Sequence, residues 1–219
     1  ADPAFTSPVN IANTTTTLSG ASMGLLTATT YFRAVVKNGS CANVYSSAAA
    51  ITINTTTWTG SWSNGVPSST TSVIISANYT PASSFECCSL TVNNNAAVLI
   101  PSGINVTLNG KLTVVSGSSF TLQSNANLIQ TTNEANSGSI TVLRDSAPIK
   151  RLDHTLWCSP VTGTQTLQQF SPNTLSNRFY VYNILNNTYT ATPATGYFPL
   201  AKAIAVRAPN NWPTIESPW

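Results

Sequence analysis

Between Cys88 and Val142 the chain sets short apolar bursts in a background of Thr, Ser, Asn and Gly, and it does so repeatedly. Ser89-Leu-Thr-Val, Ile104-Asn-Val-Thr-Leu, Lys111-Leu-Thr-Val, Ser119-Phe-Thr-Leu and Ser139-Ile-Thr-Val each alternate apolar with polar residues. A period of two belongs to a strand with one buried and one wet face. The inward set predicted from this phase includes Leu90, Val92, Ile104, Val106, Leu108, Leu112, Phe120, Leu122 and Leu128; Thr91, Thr107, Thr113, Thr121 and Thr141 take the outer face. Leu90, Val106, Phe120 and Ile140 read as equivalent positions at spacings of about 14 to 20 residues, with Gly or Asn turns between. A unit this short cannot bury its own apolar face, but stacked units can. The reading adopted is a β-solenoid of irregular rungs. An antiparallel meander in a β-sandwich competes, because Asn109-Gly110 between two bursts is a hairpin signal.

Composition restricts the function classes. Of 219 residues 42% are apolar and only 7% charged, against roughly 25% charged in an ordinary soluble protein. Thr, Ser and Asn replace charge on the wet faces, a pattern usual for extracellular β-rich proteins. The net charge of +3 comes from scattered Lys and Arg without a basic run, which argues against nucleic acid as a partner. No apolar stretch approaches the roughly 20 residues that span a bilayer.

The bursts occupy the middle of three predicted domains: 1–53, 54–143 and 144–219. In the first, Ala1-Asp2-Pro3 reads as a cloning scar, a turn is expected from Gly20 to Gly24, and Thr30–Lys37 and Ala49–Ile53 read as strands, with a tight hairpin at Asn38-Gly39. From Asn54 a polar joint carries Trp58 and Trp62 among Gly, Ser and Pro. In the third, the short rhythm disappears; Arg178-Phe-Tyr-Val-Tyr and Ala203–Ala208 read as half-buried strands.

The run from Thr17 through Tyr31-Phe-Arg-Ala-Val-Val to Gly39-Ser-Cys41 resembles the second half of an immunoglobulin-like repeat found in very large surface proteins of bacteria with the type IX secretion system. Trp58-Thr-Gly-Ser-Trp-Ser-Asn-Gly-Val-Pro is similar to the start of a module that follows such repeats, and Trp157-Cys-Ser-Pro and Asn177-Arg-Phe-Tyr-Val-Tyr-Asn look like the β-sandwich after it. The resemblance implies an all-β fragment: a partial Ig-like β-sandwich, a β-solenoid-like repeat region, and the start of a second β-sandwich. It further implies a non-enzymatic structural or adhesive segment of an extracellular, cell-surface protein. Its partners would be the type IX secretion machinery or outer-membrane surface components, and glycans or solid surfaces.

Enzymatic chemistry finds little footing in the residues. Asp153-His154 is the single acid–His neighbour pair, and adjacent strand residues point to opposite faces, so it forms no dyad by itself. No nucleophile elbow, phosphate loop or clustered carboxylates for calcium occur, and no cofactor is expected. With one histidine and no C-x-x-C, a zinc site is not expected either. The alternative function is a carbohydrate-binding module that uses exposed tryptophans: Trp58 and Trp62 above all, or Trp157 and Trp212. The competing role for Trp58 and Trp62 is to cap the open end of the solenoid.

Two further expectations rest on the resemblance. Asp145-Ser146-Ala147 is similar to the acceptor for O-glycosylation of exported proteins in these bacteria, which makes Ser146 a candidate site; a chance tripeptide explains it equally well. Related sequences carry one cysteine before the Leu-Thr-Val burst and Ser where this chain has Cys158. Cys87 and Cys158 are therefore expected to pair as a disulfide clamping the third part to the rod, with Cys88 in phase with Leu90 pointing inward and Cys41 unpaired. Pairing of Cys88 with Cys158, or four reduced thiols, stays open.

Overall fold

A computed structural model describes residues 4–23, 26, 29–52 and 54–219. The Ala1-Asp2-Pro3 start, and Gly24 at the end of the expected turn, lie outside the described residues. Gly20–Met23 forms one helical turn, α1. Strands β1 (Thr30–Phe32), β2 (Val35–Val36), β3 (Val44–Tyr45) and β4 (Ala49–Ile51) follow. β1 pairs with β4 and β2 with β3, both antiparallel, so the four make one interrupted ribbon. Asn38-Gly39 lies in its longer end loop, where Gly39 takes φ 55° and Cys41 N–H donates to the Asn38 carbonyl; the tight hairpin expected there is absent. The predicted strand from Thr30 to Lys37 is split at Arg33-Ala34, where Ala34 N–H turns to the Ser46 hydroxyl.

The middle of the chain coils into a parallel β-solenoid. Its strands are β5 (Thr55–Trp58), β6 (Ser72–Ile75), β7 (Phe85–Cys87), β8 (Ser89–Val92) and β9 (Ala97–Ile100). They continue as β10 (Asn105–Leu108), β11 (Leu112–Val114), β12 (Ser119–Leu122), β13 (Asn127–Gln130) and β14 (Thr141–Val142). Three parallel sheets form its walls, ordered β5-β6-β8-β11, β9-β12-β14 and β7-β10-β13. From β6 onward each turn of chain visits the three in that sequence, and rungs run to about 17 to 24 residues.

The inward and outward faces follow the predicted phase. Leu90, Val92, Val106, Leu108, Leu112, Phe120 and Leu122 are buried in one cluster, with Ile104, Leu128, Ile140 and Val142 packed against it. The register, however, differs from the one expected. Leu90 stacks on Leu112, Val106 on Leu128, and Phe120 on Val98. Leu90, Val106 and Phe120 thus lie on three different walls of the coil, because one rung contains three bursts. Asn109-Gly110 makes a corner between walls, with no hairpin: its two N–H groups donate to the carbonyls of Cys87 and Cys88 one rung below. A Cβ on Gly110 would come within 2.8 Å of the Cys88 carbonyl oxygen, so only glycine lets this corner close.

Asparagine is abundant because corners need side chains that satisfy backbone groups the walls leave unpaired. Asn109 Nδ2 donates to Ser69 O, Asn78 Oδ1 accepts from Ala97 N–H, and Asn136 Oδ1 accepts from Leu112 N–H. Asn94, Asn95 and Asn125 take positive φ at turns, a conformation Asn tolerates better than other non-glycine residues.

Beyond the last rung comes an antiparallel sheet of β15 (His154–Trp157), β16 (Phe179–Asn183), β17 (Thr188–Ala191) and β18 (Ile204–Arg207), ordered β15-β18-β16-β17. Helix α2 (Leu167–Phe170) is one turn with a capping box between Thr166 and Gln169. One face of the sheet is covered: Phe179, Ile204 and Val206 pack with Leu167, Phe198, Phe170, Trp157 and Trp219. The lead into this sheet is tied to the solenoid, where Arg144 donates to the carbonyls of Gln123 and Ala126 and Asp145 N–H to the Ser124 hydroxyl.

Candidate functional site

Trp58 and Trp62 sit at the first rungs. Their ring centroids are 5.1 Å apart at 62°, and both meet Tyr79, which in turn meets Phe85. All four pack against the solenoid core, and Trp58 Nε1–H donates to Asn78 O. Rings set edge to face and turned into the core form a plug that covers apolar side chains at the end of the stack. The two indoles are partly buried and inclined at 62° to one another, so they do not form a flat, coplanar platform. Trp157 is engaged with Phe170 and Trp219, and Trp212 donates to Ile149 O.

The expected Cys87–Cys158 disulfide is not formed; all four cysteines are free. The inward residue is Cys87, fully buried and stacked on Leu108, while Cys88 is half-buried. Phase counted back from Leu90 fails here because Cys88 is the corner between β7 and β8, where the walls change and alternation resets. Burial, with a smaller push from Cys88, drives the Cys87 thiol up to about 12, which keeps it protonated and inert. Cys158 and Cys41 are exposed.

Ser146 is half-buried. Its hydroxyl donates to Ala147 O and accepts from Trp219 N–H, while Ser146 N–H donates to Trp219 O. A glycan on this oxygen would have to break the first of these bonds.

The sequence did not single out the uncovered face of the C-terminal sheet. Register places His154 and Leu156, Arg207 and Ala205, Arg178 and Tyr180, and Tyr182 and Tyr189 on the side opposite the core. His154, Thr155, Leu156, Tyr180, Tyr189 and Ala205 line a depression of about 460 Å³. Beside it, Arg207 is the register partner of His154 across β15 and β18, and Arg178 directly precedes β16. Arg207 is only 8% exposed, and its Nη2 donates to Asn210 Oδ1. Arg178 Nη1 donates to the Tyr180 hydroxyl. In both, the Nε–H is buried without a partner. The His154 ring lies 5.7 Å from Tyr180. Partial burial and the nearby positive charges of Arg207 and Arg178 push His154 below the usual imidazole value, against a weaker opposing pull from Asp153. Asp153 Oδ2 accepts from Lys150 N–H. The alternation of Arg178-Phe-Tyr-Val-Tyr announced the strand, but pairing across four strands, which unites these residues, has no local signal.

Among the described residues no group of three or more His, Cys, Asp or Glu could hold a metal ion, and no helix is long and apolar enough to cross a membrane. No curated protein and no solved structure matches this chain. Residues 27–219, which take in the ribbon, the solenoid and the C-terminal sheet, match one family, and the chain therefore belongs to the family described as a domain of unknown function (DUF8693).

Proposed function

We propose that this chain is a non-enzymatic structural and adhesive segment of a large extracellular bacterial surface protein, exported by the type IX route. The observation that carries this reading is the solenoid: stacked parallel rungs with a close-packed apolar interior, plugged at one end by Trp58, Trp62 and Tyr79. Such a stack, hydrogen-bonded rung to rung along its three walls, acts as a stiff spacer. Its outer walls of Thr and its corners of Asn need no charge to stay hydrated, which suits a surface held outside the cell. The C-terminal sheet is anchored to the last rungs through Arg144 and Asp145, so the spacer would present it.

The test is labelling of intact cells of the native host with an antibody raised against this chain. Strong labelling of unbroken cells, removed by external protease, is the expected result. Labelling that needs lysis would contradict the assignment to the surface.

A further inference from the structure

We infer that the uncovered face of the C-terminal sheet binds a carboxylated sugar ring, seated on Tyr180, Tyr189 and Leu156 with its carboxylate at Arg207 and Arg178. Four observations meet there. The depression, at about 460 Å³, falls in the range of small-ligand sites, roughly 300–1,000 Å³. Its floor is apolar and aromatic, from Leu156, Ala205, Tyr180 and Tyr189, and such surfaces take the C–H face of a pyranose. The phenol hydroxyls of Tyr180 and Tyr189 stand among these groups for the ring's own hydroxyls.

The fourth observation is charge. Buried cations are ordinarily paired, because an unpaired one is costly. Arg207 is nine-tenths buried, yet the hydrogen bonds of the two guanidiniums go to Asn210 and Tyr180, neither of them an anion, and both Nε–H groups have no partner. A carboxylate beside them would bring the anion that these contacts lack, and a guanidinium can take one through its terminal N–H groups with two parallel bonds. An acidic peptide fits less well. Peptides that bind sheets add as strands along an edge, whereas these residues lie across the face of all four strands.

The chain has a single histidine, and His154 lines the depression, so its ring protons report on the site without ambiguity. The full chain is titrated with D-glucuronate, D-glucose, acetate and a tri-glutamate peptide while the histidine signal is followed by NMR. Saturable movement with glucuronate, at least about tenfold tighter than with glucose or acetate, is expected. Arg207→Gln, checked for an unchanged fold by circular dichroism, should weaken glucuronate at least about tenfold. Tyr189→Ala, at an exposed edge-strand position that folding tolerates, should weaken it several-fold. Acetate binding as tightly as glucuronate would overturn the sugar assignment, and tighter binding of the peptide would replace it with an acidic polypeptide. No movement with any probe, or glucuronate binding that is indifferent to Tyr189→Ala and Arg207→Gln, would overturn the site itself.

Discussion

Cys87 shows how far a single environment sets a side chain's chemistry. Sealed in the solenoid and stacked on Leu108, it behaves as a small apolar residue, and its thiol is held up at about 12. Alkylation of the native protein should therefore modify Cys41 and Cys158 quickly, Cys88 more slowly, and Cys87 only after unfolding. Peptide mapping by mass spectrometry reads this directly; rapid labelling of Cys87 would contradict its placement. His154 provides a second residue-scale prediction. Burial and the flanking Arg207 and Arg178 lower its pKa in the fold, with Asp153 opposing and Tyr180 in ring contact. Between its folded and unfolded pKa values the unfolded chain binds more protons, so this group's contribution makes stability fall as pH drops below the unfolded value near 6.5. Replacing it by Asn should flatten the acid side of a thermal-melt pH series, and an unaltered slope would mean that His154 is not in this charged setting.

At the scale of the element, stability resides in the stacked inner face. Full burial of one Leu or Phe side chain contributes about 1.5–3 kcal/mol, and Leu108 and Leu122 belong to the solenoid cluster. Leu108→Asp places an unpaired charge there and should cost about 4 kcal/mol or more. Thr107→Ser on the outer face should cost well under about 1 kcal/mol. Equal melting of the two variants would reverse the assignment of faces. Corners are equally exacting. Gly138 has φ 87°, and a Cβ there would fall 2.0 Å from Val114 O, so Gly138→Ala should lower the melting temperature markedly, whereas Gly163→Ala, with open space around it, should not. The faces were legible in the sequence because a period of two survives within each burst. Register was not, because the corners reset the phase: alternation counted from Leu90 misplaced Cys88, and the likeness of Leu90-Thr-Val to Phe120-Thr-Leu concealed that they belong to different walls.

For the whole molecule, the account is of a parallel coil that carries an antiparallel sheet. Alternation within the bursts identified the strands of the coil, since a period of two belongs to a half-buried strand. The candidate site was beyond reach of local pattern, because His154, Arg178, Tyr180, Tyr189 and Arg207 converge only once β15, β18, β16 and β17 pair. Everything proposed for the chain as a spacer depends on the coil being parallel. Backbone contacts of Thr113 in a nuclear Overhauser spectrum of the labelled protein decide this most directly. The account predicts contacts from Thr113 to Thr91 on one side and to Ser137 on the other, the neighbours it has on its wall. Contacts from Thr113 to Val106, which a hairpin turning at Asn109-Gly110 requires, would contradict it.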